Sequence, residues 1–271
     1  MIPKRLGNVR RVNIELPSRT ALTAAAARAA HLIVDGEPTI HRDPLAEPLL
    51  GDEAEELLAY HRKSGEHPIL AGARAQVVCR SRVVEDLLPD FERYVLLGAG
   101  LDSYAYRSAG VEVVEIDRPA TQEWKRQALD KAGVPVPGNV TYLNSAADLD
   151  GGGRTLVGWL GVTMYLTAAE LDATLAALPP CELVADHMLP EGLRDADGDA
   201  YVAGVGPQTA KMGEPWRSFL SPDDMAALLD KHDFDVVRHV HQRDLPQMLD
   251  RDDSLRPVNL SIITHARHRL S

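Results

Sequence analysis

The segment YVLLGAGLDSYAYR (residues 94–107) constrains the fold most, because an apolar run passes there directly into a glycine turn. Residues 95–97 are continuously apolar, which is typical of a parallel strand covered on both faces. Gly98 and Gly100 follow at once, and glycine, which has no Cβ atom, lets the backbone turn sharply and approach a ligand closely. The pattern predicts a buried strand, a ligand-binding turn and then a helix.

A second apolar strand, VEVVEID (residues 111–117), ends with two acidic residues, Glu115 and Asp117. An acidic residue that closes the strand after a glycine turn commonly binds ribose hydroxyl groups. The unit therefore predicts a site for a nucleoside cofactor. The alternative is a glycine turn that serves only to pack the strand against the helix.

The chain lacks two common phosphate-binding signatures. Ser103 stands where the G-x-G-x-x-G fingerprint of dinucleotide sites requires its third glycine, and the Gly-Lys-Ser/Thr ending of a P-loop does not occur. A ribose-binding acid without a phosphate signature favours a nucleoside without phosphates, such as S-adenosylmethionine.

Several motifs, in the right order, resemble the S-adenosylmethionine-dependent methyltransferases of the leucine carboxyl methyltransferase superfamily, in particular its bacterial branch. The resemblance covers about residues 15–266. It is carried by SRTAL (18–22), GAGLDSYAYR (98–107), VEVVEIDRP (111–119), WLGVTMYLT (159–167) and GEPWRSFLSPDDM (213–225).

The resemblance implies an α/β fold with a Rossmann-like, seven-stranded, mostly parallel sheet, an antiparallel C-terminal hairpin and an N-terminal helical lid. We expect one structural domain overall, with the lid at residues 1–90 and the cofactor-binding core at residues 91–271. An insertion at about residues 190–220 is expected to cover the acceptor, and its glycine- and aspartate-rich composition predicts a mobile loop. Strands are predicted at 94–97, 111–117, 139–144, 154–160, 181–186, 234–240 and 258–266.

The composition argues against several classes of partner. The chain has 271 residues, 45% of them hydrophobic, so it can bury a large core. Its net charge of −11 argues against nucleic acid, because phosphate binding needs a basic surface. The short basic stretch at residues 4–11 is interpreted as a solvated tail.

Neither Cys79 nor Cys181 has a neighbour at metal-ligand or C-x-x-C spacing, so no metal is expected and both thiols are expected to be reduced. The sequence shows neither a signal-peptide pattern nor an apolar run long enough to span a membrane. We therefore expect a cytoplasmic protein without a membrane partner. The sequence leaves the oligomeric state open, with a homodimer as one option.

The resemblance also implies which residues bind the cofactor. Arg80 stands where the family has an arginine that pairs with the methionine carboxylate, and a guanidinium fork suits a carboxylate. Without the resemblance, Arg80 is better explained as a surface helix arginine, and Asp102 and Ser103 as helix caps. The full predicted set is Arg80, Gly98, Ala99, Gly100, Asp102, Ser103, Glu115, Asp117, Asp148, Leu149 and Gly161.

Two positions depart from the family pattern. In the family, an acidic-apolar pair after the third strand contacts the adenine amino group. Strict alignment puts residues 144–146 of this chain at the position of that pair. Asp148 and Leu149 supply the pair if the loop is two residues longer. Many relatives also have a glutamate where this chain has Leu160. The altered positions Ala146 and Leu160 therefore leave open whether this chain binds the cofactor more weakly or uses it for another purpose.

Methyl transfer requires positioning more than a reactive side chain, because the displacement at the methyl group needs alignment of the two reactants. A carboxylate acceptor needs no base, whereas a hydroxyl acceptor benefits from one. His187 is the predicted base, since it ends the strand ELVADH at the expected acceptor edge, and Tyr165 is a second candidate on the acceptor side. His41 and Trp216 are weaker candidates.

The sequence thus predicts an enzyme that uses S-adenosylmethionine, releases S-adenosylhomocysteine and methylates a hydroxyl or carboxylate oxygen of a small-molecule acceptor, as in secondary metabolism. One alternative is a relative that catalyses a non-methylating reaction on the same scaffold. Another is a binding protein that holds the nucleoside without turnover.

Overall fold

A computed structural model describes residues 18–249 and 251–270, so the basic stretch predicted as a solvated tail lies outside the described residues. The strands are β1 (Arg93–Leu97), β2 (Glu112–Ile116), β3 (Val140–Leu143), β4 (Thr155–Trp159), β5 (Glu182–Met188), β6 (Phe234–Val240) and β7 (Ser261–His268). They form a seven-stranded sheet in the order β3-β2-β1-β4-β5-β7-β6.

Strands β1 to β5 are mutually parallel, and β7 lies antiparallel between β5 and β6. The predicted seven-stranded, mostly parallel sheet with an antiparallel C-terminal hairpin is therefore confirmed. The last strand begins three residues later than predicted, at Ser261, and β5 runs two residues further, to Met188. The second difference changes the position of His187, as described below.

Helices cover both faces of the sheet. They are α1 (Arg19–Val34), α2 (Ala46–Leu50), α3 (Ala54–Ser64), α4 (Pro68–Leu87), α5 (Tyr104–Arg107), α6 (Pro119–Lys131), α7 (Ala168–Ala176), α8 (Ala196–Lys211) and α9 (Pro222–Asp230). Side chains alternate along β1, so that Leu96 packs with α4 while Val95 packs with α7 and α9. This double covering explains the continuous apolar run in the sequence.

The alanine-rich helix α1 packs closely against α2 and α3. Ser18 caps its first turn by accepting the N–H of Ala21. Its buried alanines form a cluster with Leu101, which belongs to the glycine turn, and buried Arg28 donates to the Leu101 carbonyl oxygen at 2.6 Å. The N-terminal helices therefore contact the segment in which the sequence predicts a cofactor site.

The predicted mobile loop after residue 190 is wrong, because residues 196–211 form helix α8. Asp195 caps this helix by accepting the N–H of Gly198 at 2.7 Å. Its glycines permit close packing: a Cβ atom on Gly204 would lie 2.7 Å from Cδ1 of Ile69 on α4. Composition suggested flexibility at positions where the structure needs small residues between two helices.

Cys79 and Cys181 are both buried free thiols, and burial raises the pKa of each to about 12. None of the helices within residues 18–249 and 251–270 is long and apolar enough to span a membrane.

Candidate functional site

A cavity of about 840 Å³ lies at the carboxyl ends of β1, β2 and β4, the edge at which parallel sheets usually bind ligands. We call one side the glycine-turn half, which is lined by residues 97–102, 116–118, 144–146 and 160–162. We call the other side the aromatic half, which is lined by Ile69, Gln76, Met164, Tyr165, Met188, Tyr201, Gln208 and Trp216. Arg80 lines the cavity from α4.

The predicted glycine turn forms the centre of the glycine-turn half. Gly98 has a φ of +71°, in the left-handed region that favours glycine. A Cβ atom there would lie 2.5 Å from Cγ2 of Val162, so even alanine would force a shift. The Gly98 N–H donates to the Ile116 carbonyl oxygen at 2.8 Å, which fixes the turn against the end of β2. The turn thus presents bare backbone to the cavity.

Asp117 follows β2, and its carboxylate also lines the cavity. Oδ2 accepts the Gly100 N–H at 2.7 Å, and Oδ1 accepts the Arg118 N–H at 2.7 Å. A carboxylate offers about four lone-pair positions. The two hydrogen bonds therefore orient the group and leave it able to accept hydrogen bonds from ribose hydroxyls.

Arg80 is held at the cavity by a buried carboxylate. Its Nη1 donates to Oδ2 of Asp186 at 3.1 Å, and Oδ1 of Asp186 accepts the Gly161 N–H at 2.5 Å. Asp186 is 1% exposed. Because a guanidinium carries five N–H donors, Arg80 retains donors for a ligand carboxylate. A Cβ atom on Gly161 would lie 2.4 Å from Nη2 of Arg80, so this glycine leaves space for the guanidinium.

The structure brings Asn144, Ser145 and Ala146 to the cavity after β3, in place of the predicted pair. Asp148 is exposed at the end of a short 3-10 helix, and Leu149 packs against the core beside β2 and β4. Neither lines the cavity, so the structure does not bring them together with the other predicted cofactor residues. The loop has the length of the strict alignment and is not extended.

Glu115 also lies away from the cavity. It is 1% exposed and accepts a hydrogen bond from Nζ of Lys125 at 2.7 Å. Burial raises the pKa of the Glu115 carboxyl, although Lys125 opposes the shift. Residues two apart share a face only within a strand, and β2 ends at Ile116, so Asp117 turns towards the cavity while Glu115 does not. The structure therefore does not bring Glu115 together with the other predicted cofactor residues.

Asp102 and Ser103 have different positions, although they are adjacent. Asp102 lines the cavity and accepts the Tyr104 N–H at 2.8 Å, so it also caps α5. Ser103 does not line the cavity: its side chain is buried and donates to Oδ1 of Asp43 at 2.5 Å. Ser103 supports the turn from behind and lies outside the cavity lining.

The structure places His187, the predicted base, outside the cavity lining. Because β5 extends to Met188, Asp186 and Met188 lie on the cavity face and His187 lies on the opposite face. Its Nδ1 donates to the Leu220 carbonyl oxygen at 2.9 Å, and its Nε2 lies 3.0 Å from Oγ1 of Thr264. Burial lowers the pKa of His187 to about 4.

Tyr165 does line the aromatic half, as does the weaker candidate Trp216. Burial raises the pKa of the Tyr165 hydroxyl, so the phenol keeps its proton near neutral pH. His41 instead pairs with Glu85 at 2.8 Å, away from the cavity. Tyr165 can therefore donate a hydrogen bond but is a poor base.

Several lining residues escaped the sequence prediction. Glu214 accepts hydrogen bonds from Oγ of Ser18 at 2.7 Å and from the Thr20 N–H at 3.0 Å, which joins the start of α1 to the segment after α8. Tyr201 reaches the cavity from α8, the segment predicted as a loop. Asp186 does not line the cavity but holds Arg80, and its signal in the sequence is that it is an acid near the end of a buried strand.

The family profile described as "Leucine carboxyl methyltransferase" matches residues 21–178, more than half of the chain. The "Putative S-adenosyl-L-methionine-dependent methyltransferase YktD" of Bacillus subtilis is 27% identical over 210 residues, which cover 69% of each chain. A Streptomyces coelicolor protein of the same description, SCO7813, is 27% identical over 252 residues, which cover 81% of this chain and 84% of the relative.

The fold is also similar to solved structures. A DUF574-family protein from Streptomyces avermitilis superposes with a TM-score of 0.53 at 14% identity, over 90% of this chain and 97% of that one.

Proposed function

Because the chain belongs to the leucine carboxyl methyltransferase family and is an S-adenosylmethionine-dependent methyltransferase, we propose that it methylates a carboxylate oxygen of a small organic acceptor. The acceptor would bind in the aromatic half, beside a cofactor held in the glycine-turn half.

The residues of the glycine-turn half fit this cofactor. Arg80 has free donors for the methionine carboxylate, Asp117 has free acceptor positions for the ribose hydroxyls, and a Cβ atom at Gly98 would fill the space beside Val162. When bound, S-adenosylmethionine supplies an electrophilic methyl group on a sulfonium. The protein holds and aligns the two reactants and excludes water from them. For well-oriented reactants, this positioning lowers the activation free energy by roughly 7–11 kcal/mol.

The observation that carries the proposal is the lack of an available base in the cavity. Among the described lining residues there is no histidine. The three lining carboxylates, Asp102, Asp117 and Glu214, are each oriented by hydrogen bonds from the protein, and Asp117 is assigned to the cofactor ribose, so none is placed to take a proton from an acceptor. Tyr165 keeps its proton because burial raises its pKa. A hydroxyl acceptor would have to lose a proton during transfer, whereas a carboxylate is already ionised near neutral pH.

The size of the cavity supports a small acceptor. Its volume of about 840 Å³ lies within the range of pockets that hold small molecules, and cofactor and acceptor must share it. Residues of α1 and α8 both line the cavity, and the hydrogen bonds of Glu214 join the segment after α8 to the start of α1. A folded protein surface would not reach the buried end of such a cavity.

The experiment incubates the full chain with S-adenosylmethionine and small carboxylic acids, each matched to the alcohol and amine of the same skeleton. Mass spectrometry should detect methyl esters, which mild alkali hydrolyses, and little methylated alcohol or amine. The turnover number should stay nearly constant from about pH 6 to 9, since no base titrates. Products methylated on nitrogen or on a hydroxyl would overturn the proposal, as would cofactor binding without turnover of any acceptor class.

A further inference from the structure

We infer that the acceptor is a planar aromatic acid, an inference that rests on the proposed methylation of a carboxylate and names the class of its carrier. The aromatic half has features that distinguish it from a general apolar pocket. They are two parallel rings, two thioethers, a segment fixed by backbone hydrogen bonds, and polar groups without charge.

The rings of Tyr201 and Trp216 are the first feature. Their planes lie within 9° of parallel and their centroids are 6.4 Å apart, and both residues line the cavity. Ring faces carry a quadrupole and prefer offset stacking, worth about 0.5–1.5 kcal/mol beyond the buried area. A third flat ring extends this arrangement, whereas a bulky aliphatic group contacts it only at its edges.

Two methionines complete the apolar surface. Met164 and Met188 are 5% and 2% exposed and belong to one packed cluster with Tyr165, Tyr201 and Trp216. Methionine sulfur interacts favourably with aromatic rings, by about 0.3–1.5 kcal/mol for each contact. Thioethers at the base of the cavity therefore favour an aromatic ligand over an aliphatic one of equal size.

The segment that carries Trp216 is fixed before any ligand binds. The Arg217 N–H donates to the Met164 carbonyl oxygen at 2.6 Å, and the Leu220 N–H donates to the Met188 carbonyl oxygen at 2.8 Å. The Glu214 N–H donates to the Thr209 carbonyl oxygen at 2.9 Å. A preformed wall reduces the entropy that binding would otherwise cost, so its flat shape can select among acceptors.

The polar groups of the aromatic half can orient one substituent. Gln76 and Gln208 are neutral amides, and Arg217 is exposed at the rim. The two least exposed cations that line the described cavity, Arg80 and Arg28, already pair with the buried carboxylates of Asp186 and Asp43, so neither is free to neutralise a second anionic group. An acid with a single carboxylate fits these groups better than a multiply charged one, whose burial would be costly.

The test compares benzoate and 2-naphthoate with cyclohexanecarboxylate, which has similar size and charge but no flat ring. Calorimetry measures binding to the full chain saturated with S-adenosylhomocysteine, and ester formation is measured with S-adenosylmethionine. We expect the aromatic acids to bind and react at least about tenfold better. Equal binding and reaction of cyclohexanecarboxylate would overturn the inference, as would failure of both aromatic acids to bind.

Variants identify the surface responsible. Trp216→Leu and Tyr201→Leu should each reduce the aromatic preference severalfold, and Trp216→Phe should restore most of it. Tyr60→Leu is the matched control, because Tyr60 is 59% exposed on α3 and does not line the cavity. An unchanged preference in folded Trp216→Leu and Tyr201→Leu protein would contradict the assignment.

Phenol and aniline carry the ring of benzoate with a hydroxyl or an amine in place of the carboxylate. They therefore distinguish the proposal of a carboxylate acceptor from the inference of an aromatic acceptor. Methylation of the aromatic amine or phenol would overturn the carboxylate proposal and keep the aromatic class. Efficient esterification of the aliphatic acid would overturn the inference of an aromatic acceptor and keep the carboxylate proposal.

Discussion

The two halves of the cavity are built from the chain in different ways. The glycine-turn half comes from short segments that directly follow successive strands, so strand, turn and acid lie close together in sequence. The aromatic half combines Ile69, Met164, Met188, Tyr201 and Trp216, which are far apart in sequence. Local sequence therefore encodes one half, and packing of α4 and α8 on the sheet assembles the other.

The difference also concerns the type of interaction. The glycine-turn half positions backbone N–H groups, one carboxylate and one guanidinium, all of which have fixed hydrogen-bonding geometry. The aromatic half offers ring faces and thioethers, whose contacts tolerate changes of side chain. Substitutions in the first half should thus weaken cofactor binding, and substitutions in the second should alter acceptor preference.

The largest effect is expected for Gly98→Ala. An L-residue at this positive φ costs about 1–2 kcal/mol, and the added Cβ would also clash with Val162. We expect affinity for S-adenosylhomocysteine, measured by calorimetry, to fall roughly 100-fold. Gly133→Ala is the matched control, since Gly133 has a φ of +66° with nothing near its Cβ position and does not line the cavity. Equal losses in both variants would show that strain alone is responsible.

A smaller effect is expected for Arg80→Ala. Loss of hydrogen bonds to a ligand carboxylate, about 1.5–3 kcal/mol, should weaken cofactor binding about 10- to 100-fold. Arg82→Ala is the control, because Arg82 pairs with Asp86 on the exposed face of the same helix.

Arg80→Ala also leaves Asp186 buried without a cation, which should lower the free energy of unfolding by about 3–5 kcal/mol. Adding Asp186→Asn should restore stability in thermal unfolding without restoring affinity. If affinity returned together with stability, Arg80 would have only a structural role.

The smallest effect on activity is expected for His187→Asn, since His187 faces away from the cavity. Turnover under saturating conditions should remain within about twofold of the parent chain. A folded variant that binds the cofactor but loses turnover would contradict this placement and return His187 to the reaction.

The same variant should change the dependence of stability on pH. Burial lowers the pKa of His187 to about 4, below its ordinary value of 6.5, so the folded protein favours the neutral imidazole. Its contribution, about 3 kcal/mol, is complete above pH 6.5 and is lost as the pH falls towards 4. The melting temperature of His187→Asn should therefore fall less across this interval, while His61, whose pKa is also lowered to about 4 by burial, retains part of the dependence. An unchanged slope would contradict the assignment.

Much of the fold could be predicted because strand and helix patterns are local. The apolar runs predicted β1, β2 and β4 to within a residue or two at each end, and β6 as observed. The glycines of α8 misled the prediction, because composition does not reveal that Gly204 contacts Ile69 of α4. The end of β5 was also placed too early, so His187 was predicted at the carboxyl edge of the sheet, whereas it lies within the strand and outside the cavity lining.

The sequence by itself determined the glycine turn, the acid at Asp117 and the succession of strands along the chain. Each depends on neighbouring residues, and parallel strands bring their ends to one edge. Only the tertiary structure decided that Glu115 pairs with Lys125, that Asp186 holds Arg80, and that Tyr201 and Trp216 stand together. These contacts join residues 10 to 106 positions apart in the chain, and their formation depends on packing rather than on local pattern.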